Sequence, residues 1–260
     1  MIHLGLSVEE QVERGCRLAE RRYGAKKYIA YFQSFTNTYA PPSQLKKLYD
    51  RALTHPGMVG LSVATRPDCI NDEIARLLCS YKGKYMVWVE LGLQSAHEDT
   101  LSRINRGHGV ACFERALQLL YHYGLDICSH IILGLPGETH QMMIQTAIFL
   151  SRLPMAGLKI HLLYVVKDTP LASLYHKGGY RCLEREEYVE LVVDFLELLP
   201  QAVIIHRLTG DPIGSELVAP LWALDKTKNL RRIRDRLEER DTWQGRLYTD
   251  PVSGKLDRLD

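Results

Sequence analysis

MVWVELGLQSAHEDTLSRINRGH, residues 86–108, is the stretch that decides the fold. From Met86 to Leu93 it is apolar apart from Glu90, the composition of a strand buried on both faces of a parallel sheet. The run breaks at Gln94-Ser95, a helical segment follows over 98–104, and Asn105-Arg106-Gly107-His108 turns the chain again. Polar groups gathered just past the carboxyl end of a buried strand are where α/β folds keep their ligand sites. Glu90 is the physical anomaly: a carboxylate in so apolar a strand must be paired, protonated or facing a cavity, because burying it alone costs several kcal/mol. Gln94, four residues on, shares its face of the strand.

The same pattern of short apolar run, turn and amphipathic helix extends in both directions. Further strands are expected at 27–32, 59–64, 127–133, 158–165 and 202–208, with helices at 7–22, 43–54, 71–81, 111–123, 139–153 and 185–199. Ser7 with Glu10 is a capping box, and Ser43 before Leu45 and Leu48 reads as a second cap. Strands alternating with helices predict an α/β fold with a parallel sheet, open or curled into part of a barrel. After about Gly214 the pattern changes. Residues 225–241 are dense in charge, with Leu230, Ile233 and Leu237 at helical spacing, and a polar tail follows. The expected organisation is therefore a barrel over 1–214 with a C-terminal helix and tail, 215–260, packed on it. The interleaved acids favour a solvated face for that helix over a polyanion-binding one.

With 33 basic and 31 acidic residues the net charge is +2, which announces no nucleic-acid binder by itself. No apolar run approaches the roughly 20 residues of a membrane helix, and the N-terminal MIHLGLSVEEQVERG lacks the basic and apolar regions of a signal peptide. A cytoplasmic protein is expected. Cys16, Cys69, Cys79, Cys112, Cys128 and Cys182 are irregularly spaced, without the short pair that marks a structural zinc site. They read as free thiols.

Five other places carry polar groups at strand ends. Gln33 to Tyr39 is rich in hydroxyl and amide groups, either an ordinary capped turn or donors and acceptors for a ligand. Arg66 and Asp68 flank Pro67 and pair either with each other or with a substrate. His130 opens the run HIILGLPGET, in which Gly134 and Gly137 permit tight turns and Thr139 caps the next helix; its imidazole serves a ligand or is satisfied by neighbouring backbone. Lys159 and His161 alternate onto one face of their strand, and His206 precedes RLTGD; both places are either substrate contacts or a hydrogen-bond network at the strand tips. Arg106 is suited to a carboxylate through paired hydrogen bonds, whether that carboxylate belongs to a ligand or is Glu90 itself.

The runs KYIAYFQSFTNTYAP, GLSVATRPDCINDE, VELGLQS, INRGH, GLPGET, IHLL and HRLTGD, in this order over about residues 12–248, resemble the radical S-adenosylmethionine (SAM) superfamily. The likeness is to its Elongator-catalytic-subunit-like branch and the bacterial family of the YhcC/YtqA type. The resemblance implies a partial (β/α)6 TIM-like barrel, here lacking its first strand, with SAM lying across the strand tips. It assigns Gln33 and Thr36 to the loop that meets the methionyl amino group, although the glycines usual there are missing. It assigns Gln94 and Arg106, with Glu90 and Ser95 beside them, to the methionyl carboxylate, His130 to the ribose, and backbone at Leu163 to adenine. Arg66, Lys159, His161 and His206 would face the substrate.

The chemistry implied is reductive cleavage of SAM to a 5′-deoxyadenosyl radical by a [4Fe–4S] cluster held on three closely spaced cysteines. Those cysteines belong to a loop after the first strand, N-terminal to everything read here, and none of the six cysteines matches their motif. The expectation is an N-terminally shortened enzyme, inactive as this stretch alone, rather than a cluster-free paralogue. A tRNA is the leading substrate, because related groups modify wobble uridines. The alternatives are a cluster-free SAM- or nucleotide-binding module and a non-catalytic interaction scaffold.

Overall fold

Ser7 opens the first helix of the computed structural model, which describes residues 5–33 and 35–250. Ser34 and the polar tail from 251 onward lie outside the described residues. The Ser7 hydroxyl accepts the Glu10 amide at 3.1 Å while the Glu10 carboxylate accepts the Ser7 amide at 2.7 Å, the reciprocal cap that the sequence predicts. The elements in chain order are α1 (Val8–Tyr23), β1 (Tyr28–Phe32), α2 (Pro42–Ala52), β2 (Met58–Thr65), α3 (Asp72–Cys79), β3 (Met86–Gln94), α4 (Glu98–Arg103) and α5 (Val110–His122). There follow β4 (Asp126–Leu133), α6 (His140–Ser151), β5 (Gly157–Leu162), β6 (Val165–Val166), α7 (Pro170–His176), α8 (Arg185–Glu197), β7 (Ile204–Arg207), β8 (Leu217–Ala219) and α9 (Lys226–Glu239). Single 3₁₀ turns lie at Pro67–Cys69 and Leu221–Leu224.

The main sheet is parallel and six-stranded, in the order β1-β2-β3-β4-β5-β7, as the alternation of strands and helices demands. The chain divides into two compact units. One runs to Gly92 and includes Ala111–Cys128; the other is Leu93–Val110 with the residues from Ser129 on.

In the first unit β2 lies between β1 and β3, with Ala64 beside Glu90 and Tyr31 beside Ser62. Leu61, Val63, Val89 and Leu91 are fully buried, each contributing roughly 1.5–3 kcal/mol of burial. The cap expected at Ser43 is not formed. Pro41 takes the cap position and Pro42 the first helical turn, where a missing N–H costs nothing.

In the second unit β5 pairs with β7. The single strand expected over 158–165 is two. The Leu163 amide leaves to donate to the Leu133 carbonyl at 2.9 Å, and Val165-Val166 pair antiparallel with β8 instead. Helix α7, which the sequence pattern missed, starts at Pro170 under a Thr169 cap. Helix α9 packs on α8 through its arginines: Arg232 meets Glu186 at 2.9 Å, and Arg240 meets Asp194 at 2.6 Å and the buried Glu197 at 2.8 Å.

Candidate functional site

Glu90 is 3% exposed, and its carboxylate accepts the Tyr31 hydroxyl at 2.7 Å and the Ser62 hydroxyl at 2.8 Å. The buried carboxylate is thus met by one donor from the adjacent strand β2 and one from β1 beyond it. The parallel register supplies them, setting Tyr31 beside Ser62 and Ser62 two residues from the neighbour of Glu90. Sequence reasoning missed both donors, because nothing in the spacing of residues 31, 62 and 90 announces adjacency.

The loop after β1 is pinned from below. Asn37 donates through its amide to the carbonyls of Phe32 (3.2 Å) and Ala64 (2.9 Å), Thr38 shares a hydrogen bond with Thr65 at 2.6 Å, and the Tyr49 hydroxyl donates to the Asn37 carbonyl at 2.6 Å. Gln33 is exposed and Thr36 half-buried, and neither side chain hydrogen-bonds among the described residues. Arg66 and Asp68 pair with each other at 2.9 and 2.7 Å, the bidentate geometry of a guanidinium–carboxylate contact.

In the second unit the turn after β3 is bound to the turn after β4. Gln94 ends its strand at φ 76°, a conformation that costs an L side chain about 1–2 kcal/mol. Its half-buried amide makes no hydrogen bond among the described residues. Ser95, 1% exposed, hydrogen-bonds the Glu138 carboxylate and accepts the His97 amide at 3.1 Å. Burial raises the pKa of Glu138, against hydrogen bonds from Ser95 and Thr100 and the nearby His97. His97 reaches the Met142 carbonyl at 2.7 Å, and the Ala96 amide donates to Thr146 at 3.2 Å. Of the residues assigned to SAM, Ser95 is therefore spent on the scaffold. Arg106 is half-buried between Asn105 (φ 51°) and Gly107 (φ 79°), lining a cleft of about 470 Å³ with Glu98, Leu101, Ser102 and His108. Glu98 closes that segment on itself by accepting the Val110 amide at 2.8 Å.

The strand tips further along carry a basic group. His130 is half-buried, and Lys159, 8% exposed, is the register partner of Arg207. His161 donates through Nδ1 to the Leu162 carbonyl at 2.7 Å, and its ring stands 5.4 Å from that of Tyr164. Burial lowers the His161 pKa, with Arg207 and His130 adding to the effect and the Leu162 carbonyl and Asp211 opposing it. His206 is exposed and Arg207 half-buried, and a register shift in the pairing of β5 with β7 makes Arg207 the partner of Lys159. Tyr164 and Arg207 were absent from the expected site. A register shift in the β5–β7 pairing sets Arg207 there, and the sequence carries no signal for it.

The cysteines are dispersed over α1, the Pro67–Cys69 turn, α3, α5, β4 and the segment before α8. Among the described residues no group of three His, Cys, Asp or Glu is placed to hold a metal ion. A three-cysteine cluster site does not fit these residues.

The model of the radical SAM superfamily matches residues 5–150, and that of the Radical_SAM C-terminal domain matches residues 155–239. YtqA of Bacillus subtilis is 42% identical over 222 residues, which are 85% of this chain and 69% of that protein. MJ0486 of Methanocaldococcus jannaschii is 40% identical over 245 residues, 94% of this chain and 76% of that one. A tRNA uridine(34) acetyltransferase of Dehalococcoides mccartyi is 32% identical over 157 residues, 59% of this chain and 33% of that protein. Among solved structures, an N-terminally deleted Elp3 of Methanocaldococcus infernus superimposes with a TM-score of 0.80 at 20% identity, over 92% of this chain and 60% of that one. The chain belongs to the radical SAM superfamily. Its fold is the partial TIM-like barrel class that the strand and helix pattern predicts.

SAM, unlike the cluster, fits what the second unit presents. A polar ligand of that kind needs hydrogen-bonding groups at strand tips, and the Gln94 amide and the Leu163 carbonyl are not engaged within the described residues.

Proposed function

We propose that this chain is the SAM-binding barrel of a tRNA-modifying radical SAM enzyme in the cytoplasm. Gln94 and Arg106 would hold the methionyl end of SAM, His130 the ribose and the Leu163 carbonyl the adenine. A [4Fe–4S] cluster, were one held beside SAM, would supply the electron for its reductive cleavage. The described residues bring no cluster ligands together, and no step through a cluster is assigned to them. The supporting observation is Gln94, an amide without a hydrogen-bond partner among the described residues, held in a left-handed conformation at the end of a buried strand. Strain of that kind persists where a site uses it. The tRNA part rests on the name of the Dehalococcoides relative. No helix of the described residues is long and apolar enough to cross a membrane.

Titration calorimetry with SAM tests the binding. The expected result is saturable binding by the intact chain that falls about tenfold or more in Gln94→Ala and Arg106→Ala, each removing at least one hydrogen bond to the ligand. No SAM binding by a folded wild-type chain, or unchanged binding in both variants, would refute the assignment. For the substrate, tRNA binding should weaken steeply with salt; none at low salt removes the tRNA.

A further inference from the structure

Arg207 differs from three half-buried arginines in and just after α9. Arg232, Arg236 and Arg240 each face a carboxylate at 2.9 Å or less. Arg207, at the end of β7, forms no hydrogen bond or ion pair among the described residues. Two other polar groups beside it are also unspent. The Tyr164 hydroxyl has no hydrogen-bond partner among the described residues, and His161 engages only Nδ1, leaving Nε2. Both rings feel the charge of Arg207. Lys159, its register partner, adds a second buried cation. Gly210 lets the chain leaving β7 lie against both rings, since a Cβ there would fall 2.7 Å from Tyr164 Cε1 and 3.1 Å from His161 Cε1. Asp211 acts on both rings too, but its carboxylate is held by Lys226 at 3.0 Å.

A guanidinium that meets no carboxylate among the described residues, beside a phenol, is complementary to an oxyanion, while the Nε2 that His161 leaves is an acceptor. The guanidinium offers a planar two-donor fork and the phenol a third donor. We propose that Arg207 and Tyr164, beside His161, form the recognition point for a phosphate or carboxylate group of the substrate. As a statement about the substrate it rests on the SAM-enzyme reading above; as an anion site it is tested without SAM.

The experiment follows the His161 and Arg207 side-chain NMR signals of the full chain during titration with inorganic phosphate and, separately, acetate. The comparison is between wild type, Arg207→Gln and Arg234→Gln, which removes an equal charge from the exposed face of α9. Wild type and Arg234→Gln should show saturable shifts with at least one anion, and the tighter anion tells phosphate from carboxylate. Arg207→Gln should bind about ten- to a hundredfold more weakly. Should Arg207→Gln fail to fold, Arg207→Lys keeps the charge without the fork and Tyr164→Phe removes one donor, and each should weaken binding. No saturable shift with either anion in wild type, or equal affinity in the Arg207 and Tyr164 variants, overturns the proposal. SAM calorimetry on the same samples separates the two readings. SAM binding with no anion effect defeats this inference alone, and anion binding that follows Arg207 without SAM binding defeats only the SAM assignment.

Discussion

Arg103 occupies the space that a side chain on Gly137 would need. The guanidinium donates to the Pro136 carbonyl at 2.8 Å and lies against the face of Gly137, which itself sits at φ 84°. The glycine of GLPGET is thus required twice, by its backbone conformation and by the arginine that closes over it. Gly137→Ala should destabilise the protein by roughly 1–2 kcal/mol for the conformation, plus whatever the displaced guanidinium loses. Adding Arg103→Ala should recover only the steric part. Urea denaturation of the two single variants and the double checks this; full recovery in the double variant would show that the backbone carries no strain.

Glu138 ties the same turn to Ser95, and its pKa is raised by burial despite the hydrogen bonds it accepts. A folded-state pKa above the unfolded value contributes stability fully below the unfolded pKa, at about 4.3 for glutamate, and loses it as pH rises through the folded value. Glu138→Gln keeps a carbonyl acceptor for Ser95 but cannot ionise. Relative to wild type the variant should gain stability as pH rises above about 4.3. Denaturant midpoints measured across that range decide it, and a difference that stays flat or moves against the variant removes burial as the dominant cause.

The charged C-terminal helix yields a prediction about partners. Glu197 is 5% exposed and relies on Arg240 at 2.8 Å and on Thr242. Removing one partner of a buried pair leaves an uncompensated charge and costs about 3–5 kcal/mol. Arg240→Met should therefore destabilise severely, while Glu197→Gln in that background should restore part of the loss. A loss under about 1 kcal/mol, the size of an exposed ion pair, would mean that the contact is solvent-screened.

The strands and most helices were legible because their signal is local: apolar runs, Ser7 with Glu10, and Thr139 as a cap. Thr169 before Pro170 was equally local, yet it was read as the end of a strand and the helix behind it was missed. The site was legible in part. Glu90 stood out as a charge that needed partners, but Tyr31 and Ser62 come from strands 59 and 28 residues away and are adjacent only through register. Ser95 looked like a ligand group because its partner, Glu138, is 43 residues on. Arg207 lost out to His206 because the strand's phase is fixed by pairing with β5, not by the apolar pattern of so short a strand.

Gln94 allows strain and ligand contact to be separated by a single substitution. At φ 76° glycine is unstrained, so Gln94→Gly relieves the cost of the left-handed side chain and adds some unfolded-state entropy, for a net gain of up to about 1 kcal/mol. If the strained glutamine serves SAM, the same variant must bind SAM more weakly, by about tenfold for one lost hydrogen bond. Stability and affinity should then move in opposite directions. Calorimetry and urea denaturation on one preparation read both. A variant that is more stable and binds SAM as tightly as wild type would leave the conformation of Gln94 without a function. A variant that is less stable would show that the side chain packs in the folded protein more usefully than its free amide suggests.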